Sequence, residues 1–266
     1  MTDHNRKAKS KMINKLIGTL FVLHVFIMTG CTNANDEDEP LYIAAASDLY
    51  HALTEAGEEF TNETGIPLEF TFGSTGLITQ QINEGAPYDL FLAAHESYID
   101  ELIEQEAILV DSKHYYAIGR NVLMYEEESF LSESGQEQQY LLSDEVGIIA
   151  IANPEHAPYG KAAKETLEAW GIWEQIEEKL VYAENIRQAY QYVDSGNADV
   201  GMVALALVSD TDYEYQLVDE ATHEPIIQAL GIPAVSSKQE ESEQFIEYLT
   251  GKRGQEILVK YGFDLP

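Results

Sequence analysis

A single cysteine, Cys31, occurs in 266 residues, so no disulfide can form within the chain and a stapled secreted mini-domain is excluded. Cations are scarce: 15 Lys and Arg stand against 47 Asp and Glu, a formal charge of -32, which excludes a basic face that reads nucleic acid. The apolar run Leu16–Met28 is 13 residues long, short of the roughly 20 that a membrane-spanning helix needs. No Gly-x-Ser-x-Gly elbow, P-loop, His-Glu-x-x-His or paired cysteine motif occurs, so the signatures of the common hydrolases, nucleotide enzymes and zinc peptidases are missing. What remains is apolar material. At 45% hydrophobic and 10% aromatic residues the chain is no disordered acidic tail, and it can build one large or two medium cores.

Charge is unevenly spread. Residues 1–30 hold five basic residues and one acidic residue, which leaves 10 basic against 46 acidic, or -36, for residues 31–266. A basic stretch, the apolar run and then Thr29-Gly30-Cys31 follow the order of an export signal. Met28-Thr-Gly-Cys31 resembles a bacterial lipobox, with Met28 where Leu is usual. The resemblance implies cleavage before Cys31, lipidation of Cys31, and an acidic tether to Pro40 that holds the body outside the cytoplasmic membrane. The expected organisation is therefore a signal peptide at 1–30 and a tether at 31–40.

Beyond Pro40 strands and helices alternate. Leu41–Ala46 reads as a buried strand; Leu49, Ala52, Leu53, Ala56 and Phe60 then mark one helix face. Strands at 68–72 and 88–94 and helices at 77–84 and 96–105 complete three units that predict a parallel sheet. After the acidic stretch 126–145, strands at 146–151, 180–183 and 199–205 alternate with helices at 159–170 and 184–195. That is a second α/β unit, hence two lobes. The remainder reads as a polar segment at 209–224, a strand-like run at Ile232–Ser236 and helices near 240–250 and 254–261.

In such sheets ligands collect where strands end and helices begin, because first-turn N–H groups lack intrahelical partners. Four junctions carry small or hydroxyl residues: Ala46-Ser-Asp48, Gly73-Ser-Thr-Gly76, Ala157-Pro-Tyr-Gly160 and Glu184-Asn-Ile186. Each taken alone is an ordinary helix cap. Together they suit an exported two-lobed ligand binder.

The blocks Ala44-Ala-Ala-Ser47-Asp-Leu, Phe72-Gly-Ser-Thr-Gly76, Asn153-Pro-Glu-His-Ala-Pro-Tyr-Gly160 and Ala183-Glu-Asn-Ile-Arg-Gln-Ala189, in this order, resemble the periplasmic molybdate-binding proteins of ABC transporters (the ModA family). So do Ser195-Gly-Asn-Ala-Asp199 with Gly201-Met-Val203 and the closing Lys260-Tyr-Gly-Phe263, and the likeness spans about 41–266. It implies a class II periplasmic-binding-protein fold, two lobes of mainly parallel sheet flanked by helices, with lobe one at 41–118 plus 229–266 and lobe two at 119–228. The implied site is Ser47, Thr75 with Ser74, and the backbone N–H groups of Tyr159 and Ile186. Ala204 stands where some members carry a tyrosine hydroxyl, so either Asp48, Asn185, Tyr159 or water replaces that donor, or affinity and selectivity differ. The resemblance further implies a monomer without cofactor or enzymatic activity, binding molybdate or tungstate as cargo for an ABC permease with a cytoplasmic ATPase.

Other readings rest on fewer residues. A cleft carrying Ser47 and His156 could serve a hydrolase, and Tyr115-Tyr116 resembles the paired tyrosines of ferric-ion-binding relatives. Another anion such as sulfate would use the same kind of donors. His156 beside Glu155 reads as a turn that fixes the approach to the Tyr159 helix, Tyr115-Tyr116 as core or hinge, and Glu126–Glu128 and Glu240-Glu241 as solvated faces.

Overall fold

The computed structural model describes residues 39–125 and 136–266. The signal peptide, Cys31, most of the tether and the acidic triplet 126–128 lie outside the described residues.

From Pro40 onward the chain forms one compact unit. Its strands are β1 (Leu41–Ala46), β2 (Leu68–Gly73), β3 (Leu90–Ala93), β4 (His114–Gly119), β5 (Asn121–Tyr125), β6 (Ile149–Ala152), β7 (Leu180–Ala183), β8 (Val200–Ala204), β9 (Glu214–Leu217) and β10 (Ile226–Gly231). The helices that matter here are α1 (Tyr50–Thr64), α2 (Thr75–Asn83) and α3 (Glu96–Glu104), then α4 (Glu137–Leu142), α5 (Pro158–Ala169), α6 (Trp173–Ile176), α7 (Ile186–Asp194) and α8 (Leu205–Val208). The chain closes with α9 (Gln239–Thr250) and α10 (Lys252–Lys260).

Two five-stranded sheets result, ordered β2-β1-β3-β10-β4 and β7-β6-β8-β5-β9. In each, three parallel strands form the part expected from strand–helix alternation. Two antiparallel strands extend it, so both sheets are mixed. Those added strands carry the chain between the lobes. Only Arg120 separates β4 in the first sheet from β5 in the second, and the return runs from β9 to β10.

Residue types explain the layers. Leu41, Ile43, Ala44, Ala45 and Ala46 of β1 are buried, as a central parallel strand covered on both faces requires. Phe60 of α1 meets Phe245 of α9 edge to face at 5.1 Å between centroids, which seals one side of the first lobe. On the outside of that contact Arg253 is paired with Glu59, and Lys260 with Glu55, tying α10 to α1.

The strand-like run at Ile232–Ser236 is corrected: the strand lies at Ile226–Gly231, and residues 232–236 make a turn. Pro233 has no N–H, and its stretch contributes one isolated bridge to Ile108. β4 and β5 were not separated from their surroundings by the sequence pattern, and β9 falls inside the segment read as polar.

Candidate functional site

The four strand-to-helix junctions meet in pairs across the lobes. Ser47 opens a 3-10 turn after β1, and its Oγ donates to Asn185 Oδ1 at 3.1 Å and accepts the Arg187 N–H at 3.3 Å. Ser74 caps α2 positionally, and its Oγ donates to the His156 carbonyl at 2.7 Å and lies 2.8 Å from His156 Nδ1. Gly76 N–H donates to the same carbonyl at 2.8 Å. A Cβ at Gly76 would stand 2.7 Å from that oxygen, so glycine permits this approach.

Backbone donors accumulate at these starts. Pro158 begins α5 with no N–H to satisfy, Lys161 makes the first bond back to Ala157, and the Tyr159 N–H belongs to the unpaired first turn. At α7, Asn185 Oδ1 takes the Gln188 N–H at 3.0 Å, Ser47 takes that of Arg187, and the Ile186 N–H is the first donor of the turn. Thr75 is buried; its Oγ1 accepts the Ala94 N–H at 3.0 Å, a bond that leaves its hydroxyl proton unused. With fixed dipoles from helices of both lobes, the junction region carries positive partial charge without a cationic side chain.

The cations near these starts are engaged elsewhere. Arg187 places its guanidinium carbon 3.4 Å from the Tyr50 ring centroid, which joins α7 to α1 across the lobes. Lys161 pairs with Glu224 at 2.6 Å and with Glu165 at 3.5 Å. Among the described residues no group of three or more His, Cys, Asp or Glu side chains is arranged to hold a metal ion.

Behind the junctions lies a buried polar network that the sequence reading missed. Gln228 of β10, wholly buried, donates from Nε2 to Asp48 Oδ2 at 2.6 Å and to Tyr159 Oη at 3.2 Å. Its Oε1 accepts from Tyr116 Oη at 2.7 Å, and that hydroxyl also lies 3.1 Å from the Ala93 carbonyl. Burial pushes the Asp48 carboxyl up to about 6, a rise opposed by the hydrogen bonds of Gln228 and Tyr159. Burial first, and then the Asp48 charge, hold the Tyr116 and Tyr159 hydroxyls well above the usual tyrosine range. A Cβ on Gly119, where the chain leaves the first sheet, would stand 2.1 Å from Tyr159 Oη.

This geometry sorts the residues singled out above. Ser47 meets Asn185 and the start of α7 that holds Ile186, Asp48 and Tyr159 meet through Gln228, Thr75 is bonded to Ala94, and the Ser74 hydroxyl is taken up by His156. Ala204 ends β8, buried and with no polar side-chain atom, and its register partner is Asn121. Asn121 Nδ2 reaches the Tyr159 carbonyl at 3.4 Å while its Oδ1 is buried without a hydrogen-bond partner among the described residues. The Tyr159 hydroxyl is bonded to Gln228 and packs against Gly119. His156 meets Ser74, and Ser47 has Asn185 and Arg187 as its hydrogen-bond partners, so a Ser47–His156 pair is not assembled. Tyr115 is exposed beneath Lys113 while Tyr116 is buried, since neighbours on a strand face opposite ways; they do not form a paired site.

The profile of the family described as "Bacterial extracellular solute-binding protein" matches residues 41–264. The molybdate-binding protein ModA of Azotobacter vinelandii is 31% identical over 84% of this chain and 89% of its own. A putative ABC transporter substrate-binding lipoprotein of Bacillus subtilis, YvgL, is 30% identical over 89% of this chain and 93% of its own. The solved periplasmic molybdate-binding protein of Azotobacter vinelandii superposes with a TM-score of 0.81 at 30% identity, covering 85% of this chain and 99% of that one. Matched along nearly the whole folded body in both sequence and shape, the chain belongs to the bacterial extracellular solute-binding proteins, the binding rather than catalytic family that includes the ModA proteins.

Proposed function

We propose that this protein captures molybdate, and tungstate with it, between its two lobes and delivers the anion to an ABC permease driven by a cytoplasmic ATPase. The observation that carries the reading is the pairwise meeting of neutral helix starts across the lobes, Ser47 with the start of α7 and Ser74-Gly76 with the turn leading into α5. The names of the relatives supply the identity of the anion.

In this reading Thr75 gives a hydroxyl donor, Ser47 turns its hydroxyl from Asn185 to the anion, and Tyr159 and Ile186 give N–H donors to the oxyanion. Asp48, Asn185 and Ala204 line its surroundings, and Ser74 holds the lobes through His156. With the Ser47 backbone N–H the donors make five charge-assisted bonds, about 10 kcal/mol at roughly 2 kcal/mol each before the entropy of association is subtracted. Micromolar binding needs about 8 kcal/mol, so neutral donors suffice. Residues 41–118 with 229–266, and 119–228, act as the two bodies that close on the anion. Lipidation at Cys31 tethers a monomer to the outer face of the cytoplasmic membrane.

Calorimetric titration of residues 36–266 with molybdate, tungstate, sulfate and ferric citrate tests this. Molybdate and tungstate are expected to bind with similar affinity and sulfate far more weakly; tight sulfate or iron binding without molybdate heat refutes it.

A further inference from the structure

One carboxylate at the proposed site has no counter-charge. Asp48 follows Ser47 directly and is fully buried; Gln228 Nε2 donates to its Oδ2 at 2.6 Å, and its Oδ1 has no hydrogen-bond partner among the described residues. The groups packed around it are neutral: Gln228 from β10, Tyr116 from β4 and Tyr159 from α5, both hydroxyls kept protonated by burial. α7 carries Arg187 in its first turn, whose guanidinium lies over Tyr50, and Asp194 at its far end. On α1, His51 interacts with Arg187 and Asp210; α8, which also packs on this turn, carries only Leu205, Ala206, Leu207 and Val208.

A doubly negative guest held beside Ser47 would face a third buried negative charge with nothing cationic to offset it. Like charges in a medium of low polarity strongly favour protonating the weaker acid. We infer that Asp48 takes up one proton from solvent when the anion binds, so that the site holds the dianion next to a neutral carboxylic acid. This rests on the reading that Ser47 contacts the anion's oxygens. The new O–H bond forms at Oδ1, converting an unsatisfied buried acceptor into a donor, and the combined charge of guest and side chain changes from -3 to -2. Burial already brings this carboxyl close to neutrality, so the guest need displace it only a little further.

The consequence is proton-linked binding. A group protonated in the complex and ionised in the free protein makes affinity fall by up to tenfold per pH unit above its free value, and leaves it flat below.

The test uses the lipid-free mature protein and molybdate, titrated calorimetrically at pH 7.5 in phosphate and in Tris, whose ionisation enthalpies differ. The expected slope of observed heat against buffer enthalpy corresponds to nearly one proton taken up per anion. Asp48→Asn should abolish the slope, and His114→Gln, which alters an exposed histidine of β4, should keep it. The carbon-13 resonance of the Asp48 carboxyl in the unmodified protein should move to the protonated position on binding, a readout that survives if Asp48→Asn fails to fold. Molybdate binding without proton uptake, or uptake that persists in Asp48→Asn, overturns this inference alone. No molybdate binding at any pH overturns the functional reading and this inference with it.

Discussion

Two glycines set how closely the lobes approach. At Gly119 the space a Cβ would occupy is filled by the Tyr159 hydroxyl, at Gly76 by the His156 carbonyl. Gly119→Ala therefore has to push Tyr159 away from Gln228, at a cost of about 1–3 kcal/mol for overpacking a filled site. A lower urea midpoint together with weaker molybdate binding is expected, since the displaced residue also carries a proposed N–H donor; wild-type values for both would show that the contact is soft. Ser47→Ala removes one bond to a desolvated anion and should weaken molybdate by about 1–3 kcal/mol, roughly five- to 150-fold. An unaltered dissociation constant removes Ser47 from the site.

Asp48 also makes a statement about stability. Its folded value, about 6, lies above the 3.8 of a solvated aspartate, so its ionisation opposes folding: stability is greatest below 3.8 and is lost as pH rises through about 6. The gap corresponds to about 3 kcal/mol between the two limits. Without anion, the protein should melt at a higher temperature at pH 5.5 than at pH 7.5, and Asp48→Asn should flatten that difference. Equal pH dependence in both proteins would place the effect in other carboxylates.

The helix starts were legible because their chemistry is local. Asn185 caps α7 through a side-chain bond to Gln188 N–H, Pro158 occupies the first position of α5, and Gly171 follows α5 with φ of 71°. Asn185→Ala should lose about 1 kcal/mol of stability through the uncapped α7. It also removes the acceptor for Ser47, so molybdate affinity should change more than an exposed cap would explain; a stability loss with binding untouched separates the cap from the site. The crossover strands were not legible for a reason of the opposite kind. Asn121–Tyr125 is buried throughout, with no alternation to mark it, and β10 contains Gln228, a polar residue whose burial makes sense only once Asp48, Tyr116 and Tyr159 are brought to it from three other parts of the chain. Asn121, opposite Ala204, is hidden for the same reason: register between distant strands is not written in either strand.

The molecule as a whole repels its proposed cargo. With 10 cationic and 46 acidic residues from Cys31 onward, any dianion approaches against the mean field, yet the site relies on dipoles at contact distance. These two effects respond differently to salt. Screening shortens the Debye length from about 10 Å at 0.1 M to about 3 Å at 1 M, which suppresses the surface repulsion and leaves buried contacts nearly untouched. Raising sodium chloride from 50 mM to 500 mM should therefore speed molybdate association and leave the dissociation rate within about twofold, so that affinity holds or improves. A site built on Lys or Arg behaves in reverse, losing affinity as salt competes for the cation. Stopped-flow measurements at the two salt levels distinguish them, and a tenfold loss of affinity at 500 mM would mean that Arg187 or Lys161 leaves its partner in this structure to hold the anion.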